Sequence, residues 1–278
     1  MKVLLVILLT FMFLTYDCYA VVIDSLGKKF EQKRYTRVIS LAPSITETLF
    51  FMGLGDRLIG VTRYCGVERE IVGGIYDPDL EKIIKLKPDL VLMLKMGSYE
   101  NYEYLVRRGV KVFVLDYKRV DDIVDNMFKL SRLLKGEEKE EIIRSFRYSF
   151  YASVRNAIQF AKGKRFFFLY SYPLIYTASS NSYASDIVRR IGGINVVDHL
   201  KSPYQTLTVG VETLLKLSPD IIVLSTENNK LIEEELRNLG LNSTFISVDP
   251  MEISPSVRIT NFLLKLISNL KSPVVPSR

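Results

Sequence analysis

Residues 80–93 read LEKIIKLKPDLVLM, and residues 211–224 read VETLLKLSPDIIVL. Glu81 aligns with Glu212, Lys85 with Lys216, Leu86 with Leu217, Pro88 with Pro219 and Asp89 with Asp220. All but two of the other positions exchange one apolar residue for another. Each copy begins with apolar residues at helical spacing: Leu80, Ile83, Ile84 and Leu86 in the first. A Pro-Asp pair then stops the helix, because proline cannot continue it and disfavours helix at the preceding residue. An unbroken branched-aliphatic run follows, as in a strand covered on both faces. The interval between the copies is too long for a solenoid. It implies two similar α/β domains, each with a glutamate at the start of a short helix.

The flanking sequence repeats the same plan. Strands are expected at 37–41, 58–61 and 111–115 in the first half, and at 165–170, 195–197 and 244–248 in the second. Helices are expected from Ser44 to Met52, at 99–108, 120–134, 184–191 and 230–239. Ser44 and Glu47 have the spacing of a capping box. Segments 62–79, 171–181 and 199–208 read as irregular. Between the halves, 137–162 contains no Gly or Pro and has an acidic first turn, which suits the positive end of a helix dipole. Ile142, Phe146, Phe150, Val154, Ile158 and Ala161 recur along it at helical spacing. This predicts one helix of roughly 35–40 Å at 1.5 Å per residue. The fold expected is α/β: two similar Rossmann-like lobes with mainly parallel sheets, joined by a single long α-helix. The lobes take residues 21–136 and 163–272, the connecting helix 137–162, and a tail 273–278. A single rigid connector allows little hinge motion.

Composition narrows the function. Nearly half of the 278 residues are apolar, enough for two cores, and the net charge of +7 is spread along the chain. No basic run interleaves with aromatics, so nucleic acid is not an expected partner. Residues 1–20 have a basic start, an apolar stretch from 3 to 14 too short to span a bilayer, and a small residue, Ala20, at the end. They read as a secretory leader cleaved after Ala20, with lipidation at Cys18 or an uncleaved anchor as alternatives. Without Cys18, Cys65 is alone and reads as a packed or loop thiol.

The run RVISLAPSITETLFFMGLGDRLIGV at 37–61, followed by VGG and YDP and the first copy of the repeat, carries a family resemblance. Together with the two halves and the long connector, it resembles the substrate-binding proteins of ABC importers for ferric siderophores, haem and cobalamin. The resemblance covers essentially the whole chain after the leader. It implies an extracytoplasmic, monomeric, non-enzymatic binder that meets the membrane only through a permease or a lipid anchor. It also implies that Glu81 and Glu212 dock on permease arginines, one per lobe. Their alternative role is that of ordinary helix-start acids.

Open parallel sheets bind ligands beyond the carboxyl ends of their strands. Those loops hold Ser44, Arg63, Tyr64, Tyr76, Lys95 and Tyr99 in the first half, and Tyr170, Tyr172, Tyr176, Tyr204 and Asp249 in the second. Tyrosine offers a flat apolar face and a polar tip, suited to a large ring-bearing ligand. The resemblance places aromatics of cobalamin binders near Tyr64, Tyr76, Tyr176 and Tyr204, although this chain has no Trp. Cobalamin or a related corrinoid is therefore the first expectation, with a ferric siderophore or haem as the alternative. A secreted receptor uncoupled from transport is the alternative of another class. No nucleotide-binding glycine motif is present. A single His, His199, offers no metal centre, and no catalytic triad is spaced convincingly. No cofactor is implied, since the ligand would be cargo.

Overall fold

The structure is a computed structural model that describes residues 21–271. The expected leader, with the alternatives at Ala20 and Cys18, and the tail 273–278 lie outside those residues. The first lobe contains β1 (Val21–Ile23), β2 (Lys29–Glu31), β3 (Val38–Ser40), α1 (Pro43–Phe51), β4 (Leu58–Val61), β5 (Glu70–Ile71), α2 (Leu80–Lys85), β6 (Leu90–Leu94), α3 (Tyr99–Arg107), β7 (Val112–Leu115) and α4 (Asp121–Leu133). The connector is α5 (Glu140–Ala161). The second lobe contains β8 (Arg165–Leu169), β9 (Ile175–Ala178), α6 (Tyr183–Arg190), β10 (Ile194–Asn195), β11 (Thr206–Val209), α7 (Val211–Leu217), β12 (Ile221–Leu224), α8 (Asn229–Asn238), β13 (Thr244–Ser247) and α9 (Ile259–Lys271).

Both central sheets are parallel, in the orders β5-β4-β3-β6-β7 and β10-β8-β12-β13. In each, the chain builds outward from one strand and then crosses back to the other side. The switch points are β3/β6 and β8/β12. The strands from the repeat, β6 and β12, are buried at every position, as their unbroken apolar runs require.

The repeated Pro-Asp pair closes a knot in each lobe. Asp89 accepts the backbone N–H of Thr36 at 2.9 Å and of Arg37 at 3.2 Å, and its own N–H donates to Arg37 O at 3.0 Å. Asp220 accepts the N–H of Arg165 at 2.8 Å. The two strand-start arginines then reach back to the ends of the repeated helices: Arg37 donates to Leu86 O and Lys87 O, and Arg165 to Leu217 O. Helix ends expose unpaired carbonyls with partial negative charge, which a guanidinium satisfies. Each helix stops in a left-handed residue directly before its proline, Lys87 at φ +47° and Ser218 at φ +39°.

Four expectations need correction. Pro43 occupies the first turn of α1, so the helix starts one residue earlier than expected, with Ala42 at the N-cap and no side-chain cap. Ser44 therefore lies inside the first turn, buried, and Glu47 turns away to Arg258 at 2.9 Å instead of closing a capping box. The connector opens with a 3₁₀ turn at Glu137–Lys139, leaving 22 α-helical residues, about 33 Å. Its buried stripe is Ile143, Phe146, Phe150, Val154, Ala157 and Ala161, while Ile142 is exposed. Finally, the segments read as irregular at 171–181 and 199–208 contribute β9 and β11, which pair antiparallel from Tyr176 to Thr208 and on either side.

The lobes share a core. One apolar cluster runs from Phe113 and Met127 in the first lobe, through Phe146 and Phe150 of α5, to Phe168 and Phe262 in the second. Truncating a ring such as Phe150 would cost about 3–5 kcal/mol. Two polar ties add to this. Glu47 of the first lobe meets Arg258 of the second, and Arg190 bridges Asp121 at 2.5 Å and Asp186 at 3.0 Å.

Candidate functional site

The carboxyl ends of β6, β7 and β8 face one another across the seam between lobes. They enclose a cavity of about 220 Å³. Its walls include Leu94, Lys95 and Met96 after β6, Asp116 and Tyr117 after β7, Tyr170 after β8, and Tyr183 at the start of α6. Gln205 closes it by donating from Nε2 to Tyr117 O at 3.4 Å, across the lobes. Burial pushes the phenols of Tyr117, Tyr170 and Tyr183 well above the usual tyrosine range, so they stay protonated. Lys95 sits 3.7 Å from Asp116.

In the first lobe, the structure gathers four of the residues anticipated from sequence. Arg63 holds Asp77 through two hydrogen bonds of 3.2 and 2.8 Å, and its guanidinium lies 5.6 Å from the Tyr64 ring centre. That bidentate pair raises Arg63 and holds Asp77 below its ordinary value. Asn101 of α3 donates to Tyr76 O at 3.4 Å, and the Tyr99 ring stacks on Tyr102 at 5.7 Å. Tyr64, Tyr76 and Tyr99 are all more than half exposed, at 59%, 63% and 63%.

In the second lobe, Tyr176 lies on β9 opposite Thr208, and its carbonyl accepts Tyr170 N–H at 2.9 Å. Tyr204 is anchored by its carbonyl, which accepts from Ser179 Oγ at 2.5 Å, while the residue is 74% exposed. Tyr172 donates to the Glu235 carboxylate, which raises the phenol to about 12. Asp249 is exposed and accepts Met251 N–H at 2.7 Å, closing its own turn. Ser44 is buried, and its carbonyl accepts from Thr48 Oγ1 at 2.7 Å.

Of all the residues anticipated in the strand-end loops, Lys95 and Tyr170 line the cavity; the exposed tyrosines do not. Tyr117, Tyr183 and Gln205 escaped the sequence reading. Tyr117 lies two residues past strand β7, so the rule that ligands gather at strand ends could have flagged it. Gln205 and Tyr183 acquire their place only through lobe packing.

Glu81 and Glu212 are both the second residue of their helices, α2 and α7, and both are exposed. Glu81 accepts a hydrogen bond from the Tyr104 hydroxyl, and Arg108 stacks 3.4 Å from the centre of the Tyr104 ring. The Glu212 side chain makes no hydrogen bond or ion pair among the described residues. Cys65 lies 3.1 Å from Thr62 Oγ1 and 3.3 Å from Thr46 Oγ1, a packed loop thiol. Among the described residues no group of three or more His, Cys, Asp or Glu could hold a metal ion, and no helix is long and apolar enough to cross a membrane.

Known proteins share this architecture. A curated vitamin B12-binding protein of Yersinia pestis is 29% identical over 196 residues, covering 68% of this chain and 69% of its own. A periplasmic vitamin B12 binding protein of Vibrio cholerae superposes with a TM-score of 0.72 at 24% identity, covering 86% of this chain and 97% of that one. The periplasmic haem-binding protein RhuT of Roseiflexus superposes at 0.70 with 16% identity, covering 85% of this chain and 100% of that one. Identities this low in the superpositions speak to the fold alone. The periplasmic binding protein family matches residues 38–241. With two lobes, parallel sheets and a helical connector under that match, the chain is a member of the periplasmic binding protein family.

Proposed function

We propose that this protein is the extracytoplasmic substrate-binding component of an ABC importer, taking up cobalamin or a related corrinoid and handing it to the permease. It acts by binding and release, without catalysis, as a monomer freed by cleavage after Ala20. The observation that carries the reading is the presence of exposed tyrosines in the segments that follow the sheet strands in both lobes, Tyr64, Tyr76 and Tyr99 in one and Tyr176 and Tyr204 in the other. Exposed rings anchored through their backbones are poor surface design for a free-standing protein but good design for a flat, ring-bearing ligand. The vitamin B12-binding name of the curated relative supports corrinoid as the first choice.

Delivery rests on Glu81 and Glu212. Two equivalent acids, one per lobe, suit a permease built from two equivalent halves. Haem is the second reading, favoured by the haem-binding protein among the structural relatives. A ferric siderophore follows it.

Binding tests the reading directly. The protein titrated with cyanocobalamin should show saturable binding by absorbance and calorimetry. Replacing Tyr64, Tyr76, Tyr176 or Tyr204 with Ala should weaken it by about 2 kcal/mol where the ring is central, with thermal stability nearly intact. Normal binding by all four variants would place the ligand elsewhere. Binding of haem but not of any corrinoid would select the second reading.

A further inference from the structure

Tyr204 is exposed, yet the loop that presents it, 199–205 ahead of β11, is held from beneath by a buried polar network. Its centre is Ser179, the first residue past β9 and wholly buried. The Ser179 hydroxyl donates to Tyr204 O at 2.5 Å and accepts the Asn181 N–H at 3.2 Å. The Ser179 N–H donates to Gln205 O at 3.0 Å, one step beyond the β9–β11 ladder. Ser182 at the N-cap of α6 and Ser185 in its first turn both donate from their hydroxyls to Ser179 O, at 2.7 Å each. Ser185 accepts in turn from the Asn195 amide, which also donates to Ala178 O at 2.9 Å.

Ser182, Ser185 and Asn195 are buried like Ser179. Burying four polar side chains is costly unless each is paired, and a fully paired network rigidifies what it holds. This one ends outward on the carbonyl of Tyr204. Two further ties fix the same loop. Asn181 donates from Nδ2 to Ser202 O at 2.7 Å, and Gln205 reaches across the lobes to Tyr117 O. The support in the first lobe is slighter: Tyr76 O accepts from Asn101 Nδ2 at 3.4 Å.

Building on the proposed function, we infer that Ser179 is a positioning residue for cargo binding: it orders the 199–205 loop so that the Tyr204 ring stands in place before the cargo arrives. Ser179 acts through Tyr204 and, being buried, touches no cargo itself. A ring on an already ordered backbone loses less freedom on binding, and the saving appears as affinity.

The chain has no Trp, so Tyr204→Trp places a single indole reporter on the loop. Adding Ser179→Ala or Asn181→Ala should lower the reporter's fluorescence anisotropy and raise its quenching by acrylamide. The same changes should leave a Tyr176→Trp reporter, seated in β9, unmoved. Asn181 is exposed, so its variant keeps the fold even where Ser179→Ala destabilises it. Either variant should weaken cyanocobalamin binding about fivefold when Tyr204 is present, and less than about twofold on a Tyr204→Ala background. A serine that merely stabilises the lobe would lower the melting temperature, loosen both reporters and weaken binding equally on both backgrounds, and that result would overturn the inference. Unchanged affinity in both variants, where Tyr204→Ala alone weakens binding, would overturn it too and leave the cargo reading standing. Wild-type binding by Tyr204→Ala would remove the ring from the site and the inference with it. If wild type takes haem and not cyanocobalamin, the corrinoid reading falls, the same cycle is run with haem, and unmoved reporters would overturn the inference for either cargo.

Discussion

Replacing Arg190 with Met removes a cation that joins the two lobes. Its guanidinium bridges Asp121 of α4 and Asp186 of α6, and Asp121 also accepts from the Tyr151 hydroxyl of the connector. One residue thus links first lobe, second lobe and connector. The side chains are 28% exposed for Arg190, 32% for Asp121 and 16% for Asp186. Breaking a fully buried pair costs about 3–5 kcal/mol, because the stranded charge stays behind. With roughly a quarter to a third of each main partner in solvent, screening brings the expected loss to about 2 kcal/mol. The shared core from Phe113 to Phe262 makes one cooperative transition the expectation, so urea unfolding should show a lower midpoint at unchanged slope. The melting temperature should fall by about 4–8 °C. A second Asp121→Asn substitution should recover part of the loss by removing the stranded charge. Burial pushes Asp121 up, but Tyr151 and Arg190 outweigh it and hold the carboxyl below its ordinary value. A depressed folded-state value contributes stability above the unfolded value, about pH 3.9, that is lost as pH falls through the folded one. The gap between wild type and Asp121→Asn should therefore close in acid. A loss under about 0.5 kcal/mol in Arg190→Met, additive with Asp121→Asn, would refute the idea that this bridge holds the lobes together.

Glu47 behaves oppositely. Burial raises it more than Ser256 and Arg258 lower it, with nearby Asp249 adding to the rise. A raised folded-state value means that its contribution is fully present below about pH 4.3 and is lost as pH climbs through the folded value. Glu47→Gln should gain on wild type between pH 4 and 7 in urea midpoints, and a gap that does not move with pH would contradict the sign. The two acids proposed to dock on the permease give the remaining prediction. Glu81→Lys with Glu212→Lys should leave ligand affinity unchanged and abolish uptake in cells, since each stranded or repelled permease arginine costs about 2–5 kcal/mol. Wild-type uptake by the double variant would return both to ordinary helix-start acids.

Much of the molecule was legible in the chain itself. The repeat at 80–93 and 211–224 announced two lobes, and the apolar runs announced β6 and β12, because periodicity and breakers act through near neighbours. Its Pro-Asp pairs, the absence of Gly and Pro from 137–162, and the loops that carry Tyr64, Tyr76 and Tyr204 were visible for the same reason. Other features needed the lobes to be docked. Ser44 and Glu47 have the spacing of a cap, but Pro43 moved the helix start, and Arg258, 211 residues away, drew the carboxylate off. Strands β9 and β11 sit in segments without strand periodicity and exist because each supplies the other's hydrogen bonds. The Arg190 bridge and the cavity beside Tyr117 join residues far apart in the chain, 69 positions in the case of Asp121 and Arg190. Local pattern carries no information about which surfaces meet at such separations. That was decided by how the shared apolar core set one lobe against the other.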